Sequence, residues 1–259
     1  MPIEQLCTVV EMTPLNDSTY WMTLEVGKMV EEQGLRAGQF LHVACGAGNL
    51  LRRPISVACV LDDEPENTAA LIFEVKGEGT RWLAQRKVGD QVNVLGPLGN
   101  GFTVEEGGRY LLVGGGIGVP PLLGYAEAFG ENTVAVLGFR SADRVILTDR
   151  YQDSCKALYL CTDDGSLGRH GFVDAQVRDI LEQDKSFTAI LACGPKPMLK
   201  SVARVAAEYG VSCQVSMEER MACGVGACLG CAIQMADGTM KHVCKDGPVF
   251  DAKEVDWNV

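Results

Sequence analysis

YLLVGGGIGVPP, residues 110–121, is the stretch on which the fold of this chain turns. Four apolar residues run without a break into Gly114, Gly115, Gly116, Ile117 and Gly118. A short continuous apolar run is the pattern of a strand buried on both faces, as in a parallel sheet. A glycine loop between such a strand and a helix lets a pyrophosphate approach the backbone and the helix N-terminus. Pro120 or Pro121 suits the first helical turn, where a missing N–H costs nothing. Val119 takes the third glycine position of the dinucleotide-binding pattern, so the loop alone reads equally as a phosphate cradle or a plain turn.

Runs of the same kind recur at 133–137, 157–161, 188–192 and 212–216. A helical pattern fills 196–209, where Met198, Val202, Val205 and Ala206 share a face and Gly210 follows as a C-cap. Residues 103–216 therefore predict a doubly wound parallel-sheet nucleotide-binding domain. Cys193-Gly194-Pro195 ends its fourth strand, at the sheet edge where ligands of open α/β folds bind, or else is a simple strand-to-helix turn.

Upstream the period changes. In 19–26, Tyr20, Met22, Leu24 and Val26 fall on one face and Trp21, Thr23 and Glu25 on the other, as in a half-buried strand. Similar runs at 5–12, 39–44, 54–60, 69–76 and 91–95 make six, and predict a six-stranded antiparallel barrel over residues 1–102. A short helical stretch, 80–86, lies between the last two. Gly96-Pro97-Leu98-Gly99-Asn100-Gly101 punctuates the boundary. Within the barrel, Arg53-Pro54-Ile55-Ser56 offers an arginine that can fork onto phosphate oxygens, and Gly77-Glu78-Gly79-Thr80 opens a helix with free N–H groups. Either piece alone reads rather as a surface arginine and a Gly turn.

The tail, residues 217–259, is rich in Cys and Gly. Cys223, Cys228, Cys231 and Cys244 follow C-x4-C-x2-C-x12-C, the plant-type spacing for a 2Fe–2S cluster. Gly224, Gly226 and Gly230 let the backbone wrap with its N–H groups turned toward sulfur. A four-thiolate zinc site is the competing reading, but it usually uses two short pairs, and only one short pair exists here. The other seven of the eleven cysteines (Cys7, Cys45, Cys59, Cys155, Cys161, Cys193, Cys213) are scattered and read as small buried hydrophobes. His42, His170 and His242 are isolated, and Glu218-Glu219-Arg220 reads as a solvated charge run.

At 259 residues and 47% hydrophobic the chain can build more than one core. A net charge of −11 excludes a nucleic-acid binder, which needs a basic surface to release counterions. The longest uncharged run, 110–126, holds five glycines and two prolines and is no membrane span. The N-terminus lacks the pattern of a signal peptide, so a reducing compartment is expected. No G-x-S-x-G or H-E-x-x-H occurs, and hydrolase readings have no support.

In this order, R-P-x-S, G-x-G-T, G-G-G-x-G-x-x-P and a late C-G-P resemble the ferredoxin–NADP reductase superfamily. With the appended cysteine pattern, essentially the whole chain is similar to the electron-transfer subunits of NAD-dependent (type B) dihydroorotate dehydrogenases. Residues 51–56, 113–121 and 218–224 carry that likeness. Ile55 stands where the wider superfamily places an aromatic against the flavin, and the subgroup shares this departure. The resemblance implies that Arg53, Pro54, Ile55, Ser56, Ile72, Phe73, Glu74, Gly79 and Thr80 hold FAD. It implies that Gly114, Gly115, Gly116, Ile117, Gly118, Gly194 and Pro195 receive NAD with Cys193 near the nicotinamide, and that the four tail cysteines hold the cluster. It further implies a cytoplasmic heterotetramer, two of each chain, with an FMN-containing catalytic subunit in pyrimidine biosynthesis. Electrons would pass from that FMN through the cluster and FAD to NAD. A reductase subunit of another complex, of sulfide dehydrogenase or ferredoxin–NAD(P) reductase type, and a zinc-stabilised nucleotide-binding module are the alternatives. Residues 138–144 hold both arginine and carboxylate, so NAD rather than NADP comes from the resemblance only.

Overall fold

The computed structural model describes residues 1–61 and 67–258. Strands β1 (Ile3–Pro14), β2 (Thr19–Glu25), β3 (Phe40–Val43), β4 (Arg53–Leu61), β5 (Thr68–Glu74) and β6 (Gln91–Leu98) close into an antiparallel barrel in the order β1-β2-β5-β4-β3-β6. Closure leaves no unpaired edge, which is how strands this short become stable. Two small helices, α1 (Lys28–Glu31) and α2 (Glu78–Leu83), lie between strands. Helix α2 starts two residues before the expected position, with Gly77 as its N-cap.

Strand β2 keeps its period of two, but it is not half-buried. Met22 and Leu24 fill the barrel interior, while Trp21, only 6% exposed, packs on the opposite face with residues of the second domain. The polar members of that face are paired: Trp21 Nε1 donates to Thr23 Oγ1 at 2.8 Å, and Thr23 in turn donates to Glu11 at 3.1 Å. Where β2 meets the second domain, the outer wall of the barrel is thus an internal surface of the molecule.

In the second region β7 (Tyr110–Gly115), β8 (Thr133–Phe139), β9 (Ala157–Thr162), β10 (Arg169–His170), β11 (Ala189–Cys193) and β12 (Cys213–Ser216) run parallel in the order β10-β9-β8-β7-β11-β12. Helices α3 (Leu123–Phe129) and α4 (Thr148–Ser154) pack with Tyr110 and Leu112 on one face. Helices α5 (Val173–Gln183) and α6 (Lys196–Tyr209) pack with Leu111 and Val113 on the other. Gly210 caps α6 at φ 71° as expected. Its buried stripe is Leu199, Val202, Val205 and Ala206. Met198 is half-buried: it packs against the edge of that core and its thioether also reaches the glycine loop.

The tail is more regular than its composition suggests. It forms a hairpin of β13 (Ala232–Gln234) and β14 (Met240–His242), and then β15 (Val249–Asp251) adds antiparallel to β12 as a seventh strand of the sheet. Two side chains tie the parts together. Tyr125 Oη accepts from Phe102 N and donates to Ala37 O, both at 2.9 Å, joining α3 to the barrel. Asn100 takes Gly247 O through its backbone N–H at 2.7 Å, and its side-chain amide reaches the carbonyls of Lys245 and Asp246. Among the described residues no helix is long and apolar enough to cross a membrane.

Candidate functional site

The strand order reverses between β7 and β11, and the crevice outside the C-terminal ends of strands at such a switch is where open α/β sheets bind ligands. The register brings Gly114, Cys193 and Ser216 side by side at that edge. The glycine loop and the Cys193-Gly194-Pro195 turn, distant in sequence, are in direct contact. A Cβ at Gly118 would lie 2.5 Å from Gly194 N, and one at Gly115 would strike Met198 and lie 3.1 Å from Pro195 Cδ. Gly116 takes φ +54° and faces open space. The loop continues as two 3₁₀ turns, Gly116–Gly118 and Pro120–Leu122, before α3 begins, so the prolines open a 3₁₀ turn and not the α-helix itself. Fully buried Tyr151, which the sequence did not single out, donates to Val119 O at 2.8 Å and holds the loop from behind. Cys193 is 9% exposed, and burial is the main cause that pushes its thiol up to about 12, with Ser216 opposing and Glu218 adding to it. It is a neutral thiol at the crevice edge. Glu218 is exposed, as expected of a solvated run.

In the barrel, Arg53 lies directly over Gly79, where a Cβ would come within 2.7 Å of its Nε. The arginine and the G-x-G-T turn therefore form one structure. Arg53 Nη2 donates to Asn49 Oδ1 at 3.0 Å and Nη1 donates to Leu51 O, which aims the guanidinium. Thr80 Oγ1 accepts from Lys76 N at 2.9 Å and Gly77 N at 3.2 Å and fixes the turn. Pro54 is exposed and Ser56 and Glu74 are half-buried, so these face outward. Ile55 and Phe73 pack in the barrel interior, with Phe73 stacked on Tyr20 at 6.0 Å. Ile72 packs in the core that the barrel shares with the second domain, and β5 lies against the glycine loop. The phosphate-type cradle and the crevice are neighbours across one wall.

The tail gathers its four thiols into one neighbourhood, where Cys228 acts on Cys223 and both Cys231 and Cys223 act on Cys244. Cys223 Sγ accepts from the N–H groups of Val225 (3.4 Å), Ala227 (3.3 Å) and Cys228 (3.4 Å), and Cys244 Sγ from Gly226 (3.1 Å). Burial opposes ionisation of Cys223, but these N–H groups outweigh it and bring the thiol down to about 6. Cys244 is pushed up to about 12, first by burial and then by Cys231. Gly224 and Gly226 supply the left-handed backbone at φ +73° and +78°. Gly230 does not; Leu229 takes φ 60° in its place. Among the described residues no three His, Cys, Asp or Glu side chains converge on a single ion. Four thiols gathered on one glycine-wrapped loop and Cys244, at the C-x4-C-x2-C-x12-C spacing, suit a dinuclear cluster with two cysteines per iron. The donor set fits a 2Fe–2S centre.

This loop packs on the barrel. A Cβ at Gly224 would lie 2.7 Å from His42 Nδ1 and 3.3 Å from Leu98 Cδ1. His42 stands opposite Pro54 of the R-P-x-S strand, so the residue read from sequence as isolated sits between the cluster loop and the flavin-type cradle.

Comparison with known proteins finds family models over the tail and over the second region. A model of the iron–sulfur cluster binding domain of dihydroorotate dehydrogenase B matches residues 218–256, and a model of an oxidoreductase NAD-binding domain matches 112–204. Over 259 residues the chain is 43% identical to the dihydroorotate dehydrogenase B (NAD(+)) electron transfer subunit of Geobacillus thermodenitrificans, covering 96% of each chain. It is 39% identical to the same subunit of Fusobacterium nucleatum, covering 99% of each. Among solved structures it is similar to the NADH-dependent reduced ferredoxin-NADP oxidoreductase, with TM-score 0.86, 32% identity, and coverage of 98% and 91%. The Amycolatopsis cytochrome P450 reductase GcoB shares the fold at TM-score 0.64 and 20% identity, covering 80% of this chain and 66% of that one.

Proposed function

Because the chain belongs to the electron transfer subunits of NAD-dependent dihydroorotate dehydrogenase B, we propose that it carries electrons between an FMN-bearing catalytic subunit and NAD in pyrimidine biosynthesis, with a 2Fe–2S cluster and FAD as its carriers. The contiguity of the three sites carries this reading. The cluster loop rests on the barrel at His42 and Leu98, the R-P-x-S strand runs beside His42, and β5 lies against the glycine loop. FAD supplies the exchange between a two-electron hydride and single electrons, and the protein supplies orientation and electrostatics. Arg53, Ser56, Glu74, Gly79 and Thr80 hold the flavin, with Pro54, Ile55, Ile72 and Phe73 shaping its wall. Gly114, Gly115, Gly116, Ile117, Gly118, Gly194 and Pro195 receive the nicotinamide nucleotide. Cys193, protonated, lies at the edge where the ring would stack. Cys223, Cys228, Cys231 and Cys244 hold the cluster. The division into 1–102, 103–216 and 217–259 follows these roles, with β15 lent by the tail to the sheet. A cytoplasmic heterotetramer of two such chains and two catalytic subunits completes the proposal.

The test is what the chain does alone. Purified, it is expected to oxidise NADH with artificial acceptors and not to oxidise dihydroorotate. Adding an FMN catalytic subunit should restore that reaction. Bleaching of its flavin by dihydroorotate without a partner would overturn the proposal. The 32% identity to a ferredoxin-linked oxidoreductase favours a second reading, a reductase subunit of another complex. Copurification with a different catalytic chain would select it.

A further inference from the structure

His42 is fully buried, and neither ring nitrogen has a hydrogen-bond partner. A buried polar group left unpaired costs on the order of 1–3 kcal/mol, so such a group in a native fold calls for an occupant. The barrel offers little. The strand partners of His42 are Pro54 and Leu95, and Phe40 meets the ring edge-on at 6.5 Å. Arg52 donates to the His42 carbonyl, not to the ring. One unsatisfied acceptor, Asn93 Oδ1, lies on the neighbouring strand β6.

The other side of the ring is the cluster loop. Nδ1 faces Gly224, the residue between the ligand Cys223 and Val225, at a distance only a glycine tolerates. The loop spends the N–H groups of Val225, Gly226, Ala227 and Cys228 on the sulfurs of Cys223 and Cys244. Among the described residues no backbone N–H reaches the sulfurs of Cys228 or Cys231. A donor from outside the loop therefore has acceptors to meet.

We propose that His42 is a positioning residue of the cluster, whose Nδ1–H donates from the barrel wall into the sulfur shell of the iron–sulfur centre and raises its reduction potential. Hydrogen bonds to cluster sulfur favour the reduced, more negative form. The inference rests on the cluster reading above and adds the residue that couples the cluster to the flavin side of the barrel.

The test uses the purified chain carrying cluster and flavin. His42→Leu should lower the equilibrium constant for one-electron reduction of the cluster about tenfold, a shift of ~59 mV downward in an EPR-monitored redox titration. His42→Gln, which keeps an N–H, should restore at least half of that shift, and the flavin potential should stay in place in both. An unchanged cluster potential in His42→Leu, or an equal shift in His42→Gln, would overturn the inference, with the Asn93 carbonyl then the partner. Should either variant fail to retain its cluster, pulsed EPR on ¹⁵N-histidine-labelled protein carrying only His242→Gln, which removes the other histidine near the ligands, decides the matter. A histidine nitrogen coupled to the reduced cluster is expected, and its absence refutes the proposal. Wild-type chain without iron and sulfide would overturn the cluster reading and this inference with it. A cluster present with no histidine coupling overturns this inference alone.

Discussion

Gly118→Ala tests the contact between the glycine loop and the Cys193-Gly194-Pro195 turn. The new methyl would lie 2.5 Å from both Cys193 C and Gly194 N. Non-bonded atoms prefer about 3.5 Å, so loop or turn must move by about 1 Å. Both are main chain in a packed sheet edge, with Tyr151 holding Val119 O behind the loop, and neither has a flexible side chain to yield. A misplacement of about 1 Å in a positioning element can cost on the order of 10²-fold in rate, or about 2.7 kcal/mol. Anaerobic stopped-flow reduction of bound FAD by NADH should therefore slow about 100-fold at low NADH. Flavin and cluster content should stay at wild-type levels. Gly107→Ala provides the control: its φ is +70°, but nothing lies within 4 Å, so it carries left-handed strain without a clash. It should lose stability and leave the rate alone. A wild-type rate in folded Gly118→Ala would refute the claim that this contact shapes the nucleotide site, and flavin loss would refute the separation of the sites.

Three further outcomes are expected. Cys231→Ser should abolish the cluster absorbance and leave FAD bound, whereas Cys155→Ser, buried at the C-terminal end of α4 in a different core from the cluster cysteines, should leave both; iron, sulfide and flavin analysis checks this. Arg53→Ala removes a charge-assisted contact worth ~1.5–3 kcal/mol and should weaken flavin retention by roughly one to two orders of magnitude, with unchanged flavin content after dialysis as the refuting result. Asp184 is held near 2, below the usual 3.8, by the N–H and hydroxyl of Ser186 and by Arg109, whose Nη1 lies 2.5 Å away. A depressed carboxylate contributes stability that is present above about 3.8 and lost as pH falls toward 2; its exposure keeps the effect small. Asp184→Asn should flatten the acid limb of a stability-versus-pH curve in that window, and an unchanged limb would refute the assignment.

Much of the molecule is legible because its signals are local. Glycine loops, cysteine spacing and the switch from a period of two to continuous apolar runs each depend on residues adjacent in sequence. The alternation in β2 identified the strand, yet not that its outer face would be buried. That outcome requires Trp21 to meet a domain more than eighty residues away. The period read Met198 onto the core face of α6, where it does pack at the edge; the fold adds Leu199 as the more deeply buried member and carries the Met198 thioether on to the glycine loop. A helix face spans several residues, and only packing chooses its centre.

Residue chemistry and spacing by themselves determined the barrel, the parallel sheet and four cysteines suited to two irons. These follow from which groups can turn tightly, bury both faces or ligate metal, and each is a property of a short segment. Tertiary structure alone decided that Arg53 would cover Gly79, that Gly118 would press on Cys193, that β15 would join the sheet, and that Gly224 would seat on His42. Those contacts join segments tens of residues apart through strand order and register, which no local period encodes. A histidine that looked isolated along the chain became the residue between two cofactor sites because β3 happens to lie where the cluster loop comes to rest.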